Sequence, residues 1–186
     1  DSMSGYLHPL GLTSMRIFLP SDYIPANVEK LRKTRSPGAF AFTVKSLALL
    51  HAMSVEPALD WVSYFDVDIC VFSDPDVILG SLPSHKPACF TPHRFSPSFL
   101  YYEPTVGRYN AGYVSFRNTQ DGRHVLEHWR DLCLEWCQDF TERTRYADQK
   151  YLNNLADQYP AVEICPHKGA NAAPWNIADA EIRMRG

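Results

Sequence analysis

At 186 residues the chain has the length of one domain, enough to bury most of its apolar surface around a single core without disulfides or a structural metal. Lys and Arg total 18 against 21 Asp and Glu, a formal net charge of -3. The two signs are interspersed, and without a basic run to track a phosphate backbone the expectation excludes nucleic acid as a partner.

No segment is expected to reach the apolar length of a membrane span, and residues 1–10 lack the charged and apolar parts of a signal peptide. The five cysteines, Cys70, Cys89, Cys133, Cys137 and Cys165, are an odd set without CxxC spacing. A reducing, cytoplasmic setting is therefore expected. His124 and His128 share one helical spacing and Cys133 and Cys137 another. The offset between the pairs puts them on opposite helix faces, which points to packing and not to one metal site.

In chain order, Met15–Leu19 reads as a short buried strand, followed by a turn at Pro20 and a polar stretch through Arg35. Thr43–Ser54 carries apolar residues at helical spacing, with Val44, Leu47 and Leu50 on one side and Thr43 as the expected cap. Trp61–Phe65 is an aromatic and β-branched strand that ends abruptly in acids, after which an apolar run resumes at Ile69–Phe72. The Pro-rich stretch Ser73–Pro104 reads as turns over a working surface, and Gly112–Phe116 as another strand. Asn118–Phe140 has the pattern of one long amphipathic helix, and Tyr146–Tyr159 that of a second, stopped by Pro160. Alternating strands and helices predict an α/β fold: a mostly parallel sheet flanked by helices, in a single domain spanning 1–186.

The chemistry is concentrated in Tyr64–Asp76, YFDVDICVFSDPD. At the end of a strand, Asp66 and Asp68 are two positions apart. If the segment stays extended they share a face with Cα atoms roughly 6 to 7 Å apart. Two carboxylates without an adjacent histidine or cysteine suit a hard cation, Mn²⁺ or Mg²⁺, which keeps open positions for water and phosphate oxygens. In open α/β sheets ligands collect outside the carboxyl ends of the strands, where this pair falls. A plain acidic turn is the alternative, and it is the preferred reading for Asp74 and Asp76.

A hydrophobic strand, DxD, an apolar run and a Ser-Asp turn are similar to the signature of GT-A glycosyltransferases, especially the glycogenin and lipopolysaccharide galactosyltransferase group. Three further blocks follow in the same order: GRYNAGYVSFRN at Gly107–Asn118, YADQKYLNN at Tyr146–Asn154, and HKGANAAPWN at His167–Asn176. The set, together with TPHRFSP at Thr91–Pro97, also resembles a group of uncharacterised bacterial glycosyltransferase-like proteins. The ordered blocks span most of the chain after residue 60.

The resemblance implies a GT-A, Rossmann-like domain that moves a sugar, hexosyl by analogy, from a nucleotide-diphosphate donor to a glycan, lipid or protein acceptor. A UDP-sugar is favoured, with retention of anomeric configuration. It implies that Asp66 and Asp68 bind the cation, with His167 as a third ligand. Asn110, Gly112, Asp148 and Gln149 then line the sugar pocket, with Asp148 and Gln149 nearest the chemistry, and Lys45 reaches the donor phosphates. Read alone, Asn110 is also compatible with a turn, Asp148 with a helix cap and Lys45 with a solvated lysine. Nothing before Met15 looks like the family's base-binding first unit, and the family's ligand histidine usually comes later than His167, so a counterpart beyond Gly186 is the alternative third ligand. The resemblance therefore implies truncation at both ends. Two other functions stay open: a haloacid-dehalogenase-like phosphatase with Asp66 as nucleophile, and a non-catalytic module that keeps only the core.

Overall fold

The computed structural model describes residues 16–178. Its main sheet has four strands in the order β1-β3-β2-β6: β1 (Trp61–Phe65), β2 (Ala88–Pro92), β3 (Tyr109–Arg117) and β6 (Glu163–Ile164). A small hairpin of β4 (Thr141–Glu142) and β5 (Arg145–Tyr146) stands apart. Among the helices are α1 (Pro37–Val55), α2 (Gln120–Glu135), α3 (Tyr151–Gln158) and the single turn α4 (Pro174–Ile177).

The architecture is α/β, but the sheet is mixed and the expected mostly parallel arrangement is corrected. β1, β2 and β6 point the same way, while β3 runs against them between β1 and β2, so two of the three pairings are antiparallel. The connection from β2 to β3 explains the reversal. It consists of a 3-10 turn at Pro97–Tyr102 and a helical turn at Glu103–Val106, with no helix long enough to cross the sheet and return the chain in parallel.

Alternation along the strands gives the sheet two different faces. Val62, Ala88, Phe90, Val114 and Phe116 point into the main core with Leu49 and Met53 of α1, Val125, Leu126 and Trp129 of α2, and Leu152 and Leu155 of α3. The opposite face, with Cys89 and Tyr113, is covered by Ile78 and Leu79 of a short helix and by Cys165 and Ala170. Helices therefore load mainly one side.

Several expected elements shift. Residues 16–19 form no strand; Met15 lies outside the described residues. Ile17 and Leu19 are exposed, and Phe18 packs edge-on against His51 of α1, 4.9 Å between ring centres. α1 begins six residues before Thr43, because Ser36 caps it by accepting from the Ala39 N–H at 3.1 Å and Pro37 occupies its first turn. Thr43 is thus buried inside the helix, where its hydroxyl donates to the Ala39 carbonyl at 2.7 Å. α1 also has the length and hydropathy of a membrane span, 19 residues at 1.4, contrary to the expectation that no segment does; here it packs against α2 and β1. α2 stops at Glu135, where Trp136 turns extended and its indole N–H donates to Glu142 at 2.8 Å. α3 is shorter than expected because residues 147–150 form turns.

Candidate functional site

The site gathers where β1 and β2 end and β3 begins. β3 bulges there: Phe90 pairs with Val114 but Thr91 pairs with Asn110, so residues 111–113 are extra on one side of the ladder. The bulge is closed by side chain and backbone together. Asn110 Oδ1 accepts from the Gly112 N–H at 2.7 Å, and the Gly112 carbonyl accepts from the Asp66 N–H at 2.8 Å. A Cβ at position 112 would lie 2.7 Å from Asn110 Oδ1 and 3.0 Å from Asp66 Oδ2. Gly112 therefore contributes as space for these two groups.

Lys45 of α1 lies beneath this junction and is only 6% exposed. Its ammonium is 3.1 Å from Asp66 Oδ1 and 3.1 Å from Asp148 Oδ2, and it stands 4.5 Å from the centre of the Tyr64 ring. Burial works against the charged lysine, but Asp148, Tyr64 and Asp66 outweigh it and hold its pKa above the ordinary value. Burial pushes the Asp148 carboxyl up, and Lys45 opposes that without cancelling it. The solvated lysine and the helix-capping aspartate are both excluded: Lys45 is buried, and α3 has Lys150 at its cap position with no side-chain bond from Asp148.

An amide and imidazole network ties the remaining parts together. Asn110 Nδ2 donates toward Gln149 Oε1 at 3.4 Å and toward His93 Nε2 at 3.3 Å. Its Oδ1 also accepts from Asn171 Nδ2 at 2.7 Å. Asn176 Nδ2 in turn donates to the backbone oxygens of His93 and Asn171. An imidazole whose Nε2 accepts carries its proton on Nδ1. Burial accordingly drives the His93 pKa down to about 4. The blocks around His93, Asn110, Gln149 and Asn171, separated in sequence, meet at this network.

Two adjoining clefts open from it. One, about 380 Å³, is lined by Lys45, Asp66, His93, Asn110, Gly112, Asp148 and Gln149 and by an aromatic wall of Phe95, Phe99, Tyr102 and Trp175. The other, about 410 Å³, is lined by Asp66, Asp68, Asn110, Asn171 and Trp175. Asp66, Asn110, Pro174 and Trp175 line both, so the two clefts adjoin along a shared wall that includes Asp66.

The acids do not continue the strand as expected. β1 ends at Phe65, and Ile69 N–H donates to the Asp66 carbonyl at 3.1 Å, making residues 66–69 a turn. Asp66 is half-buried and faces Lys45, whereas Asp68 is exposed at the lip of the second cleft. Ile69–Phe72 is irregular and surface-lying, with Phe72 90% exposed. His167 is exposed and lines an adjoining cavity of about 270 Å³ with Phe65, Ile69 and Phe72, not the cleft that Asp66 and Asp68 share. Among the described residues no three of His, Cys, Asp and Glu converge on one point. What fits a hard cation is the donor chemistry of Asp66 and Asp68, which line the same cleft.

Sequence reasoning missed His93, Asn171 and the aromatic wall. His93 stood inside the TPHRFSP block and Asn171 inside HKGANAAPWN, but neither residue type in that context announces a role. The density of rings between Phe95 and Tyr102 was the available signal. Elsewhere, His124 and His128 both pack edge-on against Tyr159, and the cysteines are free, with Cys133 and Cys137 buried.

Compared with known proteins, the chain is similar to YfnD of Bacillus subtilis, 33% identical over 158 residues that cover 84% of this chain and 50% of that protein. It is also similar to YfnF of the same organism, 30% identical over 152 residues, covering 79% of this chain and 50% of YfnF. Both relatives are uncharacterised. No family model matches, and no solved structure matches. The chain spans about half the length of the curated relatives it matches.

Proposed function

We propose that the adjoining clefts are a donor site for a nucleotide-diphosphate sugar, UDP-sugar favoured, and that the mixed sheet is the core of a GT-A type glycosyltransferase domain. The observation that carries the reading is the gathering of Asp66, Asp68, Asn110, Asp148 and Gln149 on two adjoining clefts at the carboxyl ends of β1 and β2. Asp66 and Asp68 would hold Mn²⁺ or Mg²⁺, which supplies Lewis-acid stabilisation of the departing diphosphate. Asn110 and Gln149 present amide groups that orient sugar hydroxyls. Asp148, kept in place by Lys45, offers a buried negative charge where positive charge develops on the anomeric carbon.

For Lys45 we propose a role other than the phosphate contact that the resemblance implies. Held between two carboxylates, it sets their geometry and is not free to grip phosphates. By analogy with the resembled group, transfer proceeds with retention.

Calorimetric titration tests the reading. UDP is expected to bind in the presence of Mn²⁺ and to lose at least about tenfold in affinity without it. Asp68→Asn, a change at an exposed position, is expected to abolish the metal dependence while leaving the thermal unfolding unchanged. UDP binding that ignores both the cation and Asp68→Asn would overturn the assignment. A phosphate trapped covalently on Asp66 would favour the phosphatase alternative in its place.

A further inference from the structure

The polar lining of the first cleft accounts for a donor sugar, but its aromatic lining has no part in that chemistry. It is built from Phe95, Phe99, Tyr102 and Trp175. Phe99 and Tyr102 lie nearly parallel, 21° between ring planes. Phe95 is stacked on His93 at 4.6 Å, and His93 meets Trp175 edge-on. The His93–Asn110 bond therefore fixes the wall relative to the sugar-facing amides. Trp175 also carries an indole N–H that is buried and without a hydrogen-bond partner among the described residues, a donor awaiting an acceptor oxygen.

The charge distribution decides what the wall can receive. Lys45 is the one Lys or Arg among the described residues that line this cleft, and two carboxylates occupy it. A phosphate placed here would be unpaired, so the wall suits an uncharged ligand with an apolar face and hydroxyls at its edge. A pyranose ring has that character: its C–H face stacks on aromatic rings and its hydroxyl oxygens can accept from an N–H.

The order of groups in a donor then separates sugar from base. With the diphosphate at Asp66 and Asp68, and the donor sugar at Asn110, Asp148 and Gln149, the nucleotide base lies on the far side of the diphosphate. Phe95, Phe99 and Tyr102 line the first cleft and not the one that holds Asp68. They therefore lie beyond the sugar, away from the base.

We infer that this aromatic wall is the acceptor subsite and that the acceptor is a glycan, its terminal pyranose stacked on Phe99 and Tyr102. The word acceptor rests on the transferase reading above; the stacking of a sugar does not. In the transfer step an acceptor hydroxyl oxygen bonds to the donor's anomeric carbon. The bond from that carbon to the phosphate oxygen breaks, its electron pair leaves with the diphosphate, and the hydroxyl proton passes to the diphosphate.

Saturation-transfer NMR on the full chain with Mn²⁺ tests this, using methyl β-D-galactopyranoside, cellobiose and UDP as probes. Magnetisation is expected to pass from the aromatic protons to one face of at least one of the two glycosides. Phe99→Ala and Tyr102→Ala are expected to weaken the glycoside about tenfold and to leave UDP binding unchanged, while Tyr102→Phe retains glycoside binding. Both positions lie outside the buried core, and unchanged circular dichroism and thermal midpoints confirm that the variants fold. The inference is overturned if neither glycoside receives magnetisation from these rings, or if the alanine variants weaken UDP and spare the glycoside. A glycoside that binds this wall in a protein that takes up no Mn²⁺–UDP would sink the donor assignment and leave the sugar subsite standing.

Discussion

His93 shows how burial turns a common titratable residue into a fixed polar strut. Its imidazole is 3% exposed and its pKa is lowered to about 4 from 6.5, so the folded protein resists the proton that the unfolded chain accepts. The stabilising contribution is complete above pH 6.5 and is lost as the pH falls toward 4, by on the order of 2–3 kcal/mol. Urea unfolding near the two ends of that range should show this slope in the wild type. His93→Gln, which stays neutral, should lose that part of it; equal slopes in the two proteins would refute the buried neutral imidazole. Little of this was legible in the sequence. Asp66, Asn110, Asp148 and Gln149 could be nominated because acids and amides in ordered blocks carry a recognisable pattern. A histidine between Pro92 and Arg94 gains meaning only when Asn110 and Trp175 are brought against it.

Elements were legible in proportion to the length of their pattern. β1 matches its expected range residue for residue, because its aromatic and β-branched run is bounded by acids. β2 escaped detection although it pairs with both β3 and β6, since Ala88–Phe90 is too short an apolar run to show a period and lies among prolines. β6, two residues long, has no pattern of its own. The start of α2 shows what such readings omit. Thr119 caps it, accepting from the Gly122 N–H at 3.3 Å, but a Cβ on Gly122 would lie 2.0 Å from the Arg117 carbonyl oxygen and 2.7 Å from that of Pro87. Both neighbours are backbone and no rotamer change relieves them. Gly122→Ala is expected to cost at least about 1–3 kcal/mol in chemical denaturation, against the gain that alanine normally brings inside a helix. A neutral or stabilising result would mean that α2 can move off the end of β3.

At the scale of the whole molecule, one lysine joins parts distant in sequence: α1, the end of β1 and the turn before α3. Lys45→Met would leave Asp148 buried without its counter-charge, and a loss of about 3–5 kcal/mol is expected. Adding Asp148→Leu should restore much of that loss, since an apolar pair of similar volume needs no counter-ion. A double-mutant cycle measures the coupling directly; purely additive losses would show that the pair contributes nothing as a unit. The α/β class could be read from alternating segments, but the direction of β3 could not, because nothing in its residues distinguishes a strand that returns from one that continues.

The same ion cluster governs who can enter. Asp66 and Asp148 share the Lys45 ammonium and Asp68 stands exposed on the second cleft, so among the described residues that line the two clefts three carboxylates are set against one Lys or Arg. An anion diffusing in alone climbs an electrostatic slope, and one escorted by a doubly charged ion descends it. On the donor reading proposed above, selectivity for chelated visitors over naked ones would be set before any contact with the rest of the cleft is made.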